Sequence, residues 1–239
     1  LYSIKHGFLY KYQFLALFLQ DGIMSLAFST FFERSGLHLQ DQLPEDLLQW
    51  LGKPLALWID ALLDSLEPLP TPTFPGVTIQ GRVYIAEGVT IEPTAMIQGP
   101  TYIGPHSEIR HGAYIRGTSY IGAHCVVGHT TEVKGSCFLD GAKAGHFAYV
   151  GDSILGRNVN LGAGTKIANL RLKQDEVFYK DPFSGKSMPS GFRKLGGILG
   201  DHVQTGCNSV VSPGSLLLPH TGIYPCVHFH GTQLQGFAR

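Results

Sequence analysis

Apolar residues recur at a fixed interval of six through the middle of the chain: Ile79, Ile85, Ile91, Ile97, Ile103, Ile109, Ile115, Ile121, Val127, Val133 and Leu139. Two places before each stands a second column of mostly small or β-branched residues: Val77, Val83, Val89, Ala95, Thr101, Ser107, Ala113, Ser119, Cys125, Thr131 and Cys137. Neither helix nor ordinary strand has this period. A six-residue repeat makes each short strand plus its corner one unit and stacks corresponding side chains of successive coils into an interior column. The fold predicted is an all-β solenoid. The pattern resumes at Leu155, Leu161 and Ile167, and again at Leu199, Thr205, Val211, Leu217 and Ile223. Coils spaced by roughly 4.8 Å predict a prism about 30 Å tall.

The 30 glycines suit repeated tight corners. The 18 basic and 18 acidic residues balance, which argues against a general attraction to nucleic acid or membrane. An anionic ligand must therefore be held by local charges. Cys125 and Cys137 fall in the interior small-residue column, where a thiol packs as a small hydrophobe. All four cysteines read as reduced, without zinc-type spacing, and this favours a cytoplasmic address.

Residues 1–75 read as an N-terminal helical segment and proline-rich linker, and residues 76–239 as the solenoid. The aromatic and aliphatic stretch Phe8 to Phe32 is interrupted by Lys11, Asp21 and Glu33, so its uncharged runs fall short of the roughly 20 residues that cross a bilayer. Met24 is a candidate start, with residues 1–23 as an upstream extension. Leu47, Leu48 and Leu51 share a helical face that Gly52 stops, and Leu55, Trp58, Ile59, Leu62, Leu63 and Leu66 mark a second amphipathic helix. Pro68, Pro70, Pro72 and Pro75 enforce an extended connector. A solenoid end exposes unpaired backbone, so the helical unit is expected to cap it or to pack on a neighbour.

Two interruptions stand out. The interval from Leu139 to Val150 is eleven residues and from Val150 to Leu155 five, a slip across Lys143 to Asp152 (KAGHFAYVGD). Residues 170–197 form a second break, a basic excursion carrying Lys173, Lys180, Lys186, Arg193 and Lys194. Long insertions in solenoids commonly lie on the binding face.

Lys143 to Asp152, followed by Asn158 to Thr165 (NVNLGAGT), resembles the signature of the acetyltransferase half of bifunctional glucosamine-1-phosphate acetyltransferase / N-acetylglucosamine-1-phosphate uridyltransferase. Thr131 to Lys134 (TEVK) and Arg116-Gly117 match its upstream elements, so the likeness runs from about Arg116 to Asn169. Arg193 to Asp201 (RKLGGILGD) resembles a segment of related sugar-1-phosphate nucleotidylyltransferase/acetyltransferases. That family's nucleotidyltransferase domain has no counterpart before residue 75, so uridyltransferase activity is not expected.

The resemblance implies a left-handed parallel β-helix of hexapeptide repeats, a homotrimer with sites between subunits, and acetyl-CoA as co-substrate with no metal. The implied reaction is N-acetylation of an amino-sugar 1-phosphate, glucosamine 1-phosphate first, toward UDP-N-acetylglucosamine. Acetyl transfer needs a neutral amine and hence a base titrating near neutrality. His146 matches the family's base, and Glu132 the carboxylate that orients it. Arg116 and Lys134 match the phosphate-binding pair, a planar fork and a point charge. These two lie 18 residues apart, one full coil, so counting alone stacks them on one face. The same wall is expected to carry His146. Tyr149 and Asn160 match sugar-phosphate contacts, and Asn169 the amide that positions the thioester. Ala163 would offer a backbone N–H to the acetyl group, where a fixed donor stabilises the oxyanion. One departure is Asp175, where the family has a further phosphate-binding Lys that Lys173 or another basic residue of the excursion would have to replace.

Each residue also has an ordinary structural role available. His146 suits a solvated corner, Glu132 and Lys134 an alternating surface around Val133, and Asn158 and Asn160 corners with unusual backbone angles. The pairs His106/His111 and His124/His129 repeat at the coil interval and suggest a γ-carbonic-anhydrase-like zinc site. His146, 17 residues after His129, breaks the 18-residue interval and argues against it. A third reading is a non-catalytic trimeric scaffold.

Overall fold

The computed structural model describes residues 26–67 and 73–239. The stretch from Phe8 to Met24 and the prolines Pro68, Pro70 and Pro72 lie outside the described residues. From Thr78 onward the chain winds into a parallel β-solenoid with three walls, each a sheet of eight strands. The first wall runs from strand Thr78–Gln80 to His228–Phe229, the second from Val83–Ile85 to Thr232–Gln233, and the third from Thr90–Ile91 to Phe237–Ala238. Strands this short suffice because each contributes one inward residue, and the stacked neighbour above and below completes the core. Ile97, Ile115, Val133, Val150, Ile167 and Val211 stand in register along the first wall and are all fully buried.

The corner between the first and second walls loses a residue twice, between Val133 and Phe138 and again between Val150 and Leu155, and the first loss comes earlier than the six-residue columns suggest. Val133 pairs with Ile115, 18 residues back, but Phe138 pairs with Ile121, 17 residues back. The corner after Lys134 has lost the position that Thr118 fills in the coil below. A one-residue loss turns every following side chain to the opposite face. Phe138 therefore enters the interior instead of Leu139, and Cys137 with Leu139 lies outside the prism among the residues packed on the N-terminal unit. The interior placement expected for Cys137 is thus corrected, while Cys125 does lie inside.

The N-terminal unit covers a side of the prism, not its end. Helix α1 (Phe28–Phe31), a 3-10 turn at Leu47–Trp50 and helix α2 (Gly52–Ser65) lie over the outward face of the second wall. Gly52 begins α2 where the spacing predicted a stop; its φ of 55° makes the bend between the two turns. Leu55, Trp58, Ile59 and Leu62 form the buried stripe of α2. Beneath them Tyr84, Tyr102 and Tyr120 stack in successive coils at 5.4 and 5.3 Å, and Trp58 meets Tyr120 at 5.2 Å. The excursion after Leu170 forms a hairpin, Phe178–Lys180 with Ser187–Pro189, whose Val177, Tyr179 and Leu195 join this same apolar layer.

Candidate functional site

The outward face of the first wall carries the polar residues that the sequence singles out. In strand Glu132–Lys134 the middle residue, Val133, points inward, so Glu132 and Lys134 project outward. Register then sets Lys134 beside Arg116 of the previous coil and Glu132 beside Tyr149 of the next. Arg116 Nε lies 3.2 Å from Glu132 Oε1. Lys134 Nζ donates to both carboxylate oxygens of Asp152 at 3.0 Å. The Asn169 amide donates to the same carboxylate, and Tyr149 donates its hydroxyl to Asn169 Oδ1 at 3.4 Å.

Asp152 and Asn169 are buried, which makes their mutual contacts costly to break. Burial raises the Tyr149 pKa above the usual phenol value, with the charges of Glu132 and Asp152 adding to the effect and Arg116 and Asn169 opposing it. Tyr149 therefore stays a neutral donor at neutral pH. Gly151 opens the niche in which this contact forms. A Cβ there would sit 2.7 Å from the Tyr149 hydroxyl and 2.8 Å from Asn169 Nδ2.

His146 does not share that wall. It is the last residue of strand Lys143–His146 on the third wall, and Phe147 follows at the corner with φ 52°. Counting coil intervals aligns residues only within one wall, and the chain turns between His146 and Tyr149. The His146 ring is exposed, 6.1 Å from the Phe147 ring. It makes no hydrogen bond among the described residues, and Glu132, expected beside it, is instead paired with Arg116.

Asn160 also lies on the third wall, exposed in strand Asn160–Leu161 between Lys143 and Gln204. Ala163 follows just before the corner at Gly164, and its carbonyl accepts from Asn208 N at 2.8 Å. The expected site residues thus fall into two groups on adjacent walls: Arg116, Glu132, Lys134, Tyr149 and Asn169 on one side, His146, Asn160 and Ala163 on the other.

The basic excursion leaves and rejoins the prism beside Asn169, through the Leu170–Lys194 bridge and a bond from Leu195 N to the Asn169 carbonyl at 3.0 Å. Asp175 pairs within it with Arg171 at 2.8 Å. Asp152 was not singled out by sequence, although a signal existed: it occupies a left-handed corner, φ 45°, where the two preceding coils place Gly117 and Gly135.

The shortened coil also corrects the histidine count. His146 is in register with His129, and His129 stacks on His111 at 5.3 Å, so imidazoles occupy one edge in three successive coils. Among the described residues no three His, Cys, Asp or Glu are grouped to hold a metal ion.

The profile described as the GMPPB C-terminal domain matches residues 97–231. The chain is 47% identical over 87 residues to a bifunctional sugar-1-phosphate nucleotidylyltransferase/acetyltransferase of Sulfurisphaera tokodaii, covering 36% of this chain and 21% of that one. It is 44% identical over 138 residues to the bifunctional protein GlmU of Methanococcus maripaludis, covering 58% of this chain and 33% of that one. The chain therefore spans at most about a third of these two relatives. A solved structure of a perosamine N-acetyltransferase mutant from Caulobacter crescentus, in complex with CoA and GDP-perosamine, is similar with a TM-score of 0.35 and 14% identity, over 63% of this chain and 53% of that one. With the profile spanning more than half of its length, the chain belongs to the family of the GMPPB C-terminal domain.

Proposed function

We propose that this solenoid is an acetyl-CoA-dependent N-acetyltransferase whose acceptor is an amino-sugar 1-phosphate, glucosamine 1-phosphate first, supplying UDP-N-acetylglucosamine synthesis. The observation that carries the reading is the first-wall strip in which Lys134, Asn169 and Tyr149 are linked through Asp152 and direct contacts, with the Arg116–Glu132 ion pair beside them in strand register, one corner away from His146. Arg116 and Lys134 supply cations for the phosphate, and Tyr149 and Asn160 supply neutral donors for the sugar. His146 takes the proton as the amine nitrogen attacks the thioester carbonyl. The tetrahedral intermediate then expels the thiolate, which receives that proton. Asn169 and the Ala163 N–H hold the acetyl oxygen.

Two half-sites on adjacent walls suit a site completed between copies, the arrangement of the homotrimer that the resemblance implies. The second wall is already covered by the chain's own helices, leaving the first and third free for such a contact. No helix of the described residues is long and apolar enough to cross a membrane.

The test is thiol release from acetyl-CoA in the presence of glucosamine 1-phosphate and a panel of other amino-sugar phosphates. One observation favours the scaffold reading: Arg116 and Lys134 each already face a carboxylate, so a phosphate must compete for them. Absence of thiol release with every acceptor would select that reading.

A further inference from the structure

We infer that Asp152 is a positioning residue that holds the phosphate-binding and thioester-binding halves of the proposed site in one fixed arrangement. The inference rests on the acetyltransferase reading and deepens it. Asp152 lies at a left-handed corner, and other corners of the prism meet the same backbone demand with Gly117, Gly135, Asn158 and Asn208. Glycine or asparagine therefore satisfies the geometry, and nothing in the turn calls for a charge. A buried carboxylate is costly unless it is paired and hydrogen-bonded. Among the described residues, the partners of this carboxylate are Lys134 and Asn169, both assigned to the site on other grounds.

Those contacts have chemical consequences. A lysine ammonium has three donors, and two are directed to Asp152, which leaves one for a phosphate oxygen. Asn169 is fixed at both ends, its Nδ2 donating to Asp152 and its Oδ1 accepting from Tyr149. The amide cannot flip without losing both bonds. Gly135 keeps the space open, since a Cβ there would sit 2.6 Å from Asp152 Oδ1. The main chain of Asp152 is tied as well, its N–H to the Lys134 carbonyl at 2.7 Å and its carbonyl to Gly196 N at 2.8 Å. One residue thus links the cation, the amide and the return point of the excursion.

The test uses Asp152→Asn, which keeps size and tolerance of the corner while removing the charge. The KM for the sugar phosphate is expected to rise about tenfold, the order of a lost charge-assisted bond. In a cycle with Lys134→Met, the double variant should have the same KM as Lys134→Met alone, because Asp152 acts on that parameter through Lys134. Additive losses would overturn the inference. A second arm needs no turnover: acetic anhydride labelling of Lys134 in the full chain, read by peptide mass spectrometry against exposed Lys166. Asp152→Asn should speed Lys134 labelling severalfold relative to Lys166, and an unchanged ratio would overturn the inference. If the wild type shows no acetyl transfer, the proposed function fails, and the labelling arm still decides whether Asp152 positions Lys134.

Discussion

Arg116 and Glu132 form an ion pair across one coil of the first wall, Nε to Oε1 at 3.2 Å, and this directs the Glu132 carboxylate to the proposed phosphate-binding arginine instead of to His146. Both groups are partly exposed, so the pair contributes little to stability and much to the orientation of the guanidinium. Glu132→Gln is expected to change the sugar-phosphate KM by a few fold while leaving the pH dependence of kcat in place. A shift of that pH profile would show that Glu132 acts on His146.

The His146 ring is exposed at the end of its strand and makes no hydrogen bond among the described residues, so truncating it leaves the core packing and the backbone bond from Gly164 N to its carbonyl in place. His146→Ala is expected to cost less than about 0.5 kcal/mol of stability, as for other exposed positions. Turnover should fall by about 100-fold or more, the usual share of a general base. Retained kcat with an intact fold would remove His146 from the mechanism.

Gly151 gives a sharper probe because its backbone φ is not in the left-handed region. Gly151→Ala places a Cβ within 2.8 Å of the Tyr149 hydroxyl and Asn169 Nδ2 without straining the main chain. The expected result is a thermal midpoint within a few degrees of wild type and a clear loss of kcat/KM. A fully active variant would mean that the Tyr149–Asn169 contact is dispensable.

The interior of the prism was legible because one physical rule, a repeat that stacks like on like, acts on every coil from Ile79 to Val133. Its failure after Val133 has an equally local cause. Deleting one corner residue exchanges Leu139 for Phe138, and neighbouring apolar residues hide the exchange from a hydrophobicity pattern. The same deletion aligned His146 with His129, which an 18-residue count had separated. Arg116 and Lys134 could be placed because they share a wall, whereas the turn at Phe147 takes His146 to the next one. Asp152 was hidden because its importance lies in contacts with Lys134 and Asn169, which are distributed over three coils. The docking of α2 on the second wall follows from the tyrosine stack, a surface that no single strand reveals.

Cysteine ionisation predicts a direction for alkaline destabilisation. Burial, helped by the charge of Asp140, pushes the Cys125 thiol up to about 12, and burial also raises Cys137. In the unfolded chain these thiols ionise near about 8.5. The folded state thus binds more protons in the window between, so this stability is fully present below the unfolded value and is lost as pH rises toward the folded one. Denaturant melts from pH 7 to 11 should show stability falling above about pH 9, by at most about 1.4 kcal/mol per pH unit for each thiol. Cys125→Ala should flatten the slope. In the native state a thiol reagent should modify exposed Cys207 and Cys226 first, and rapid modification of all four would contradict the buried placement.

The N-terminal unit depends on Trp58 more than on any polar contact. Its ring lies 5.2 Å from Tyr120 and 5.6 Å from Trp50, and its Nε1 donates to the Gln42 carbonyl at 2.9 Å. Trp58→Ala removes that volume at the centre of the layer, a change that typically costs about 3–5 kcal/mol. Stacked coils bury their own core between neighbours, so the prism does not need this layer to keep its ladders. The loss should therefore appear first in the helical unit. Trypsin is expected to cut Trp58→Ala after Arg34, whose guanidinium is held in the intact unit by the Gln40 and Leu43 carbonyls, at temperatures where hydrogen exchange still protects the strands around Ile115 and Val133. Simultaneous loss of protection at both places would mean that the helices and the prism unfold as one cooperative body, and that the second wall relies on its cover.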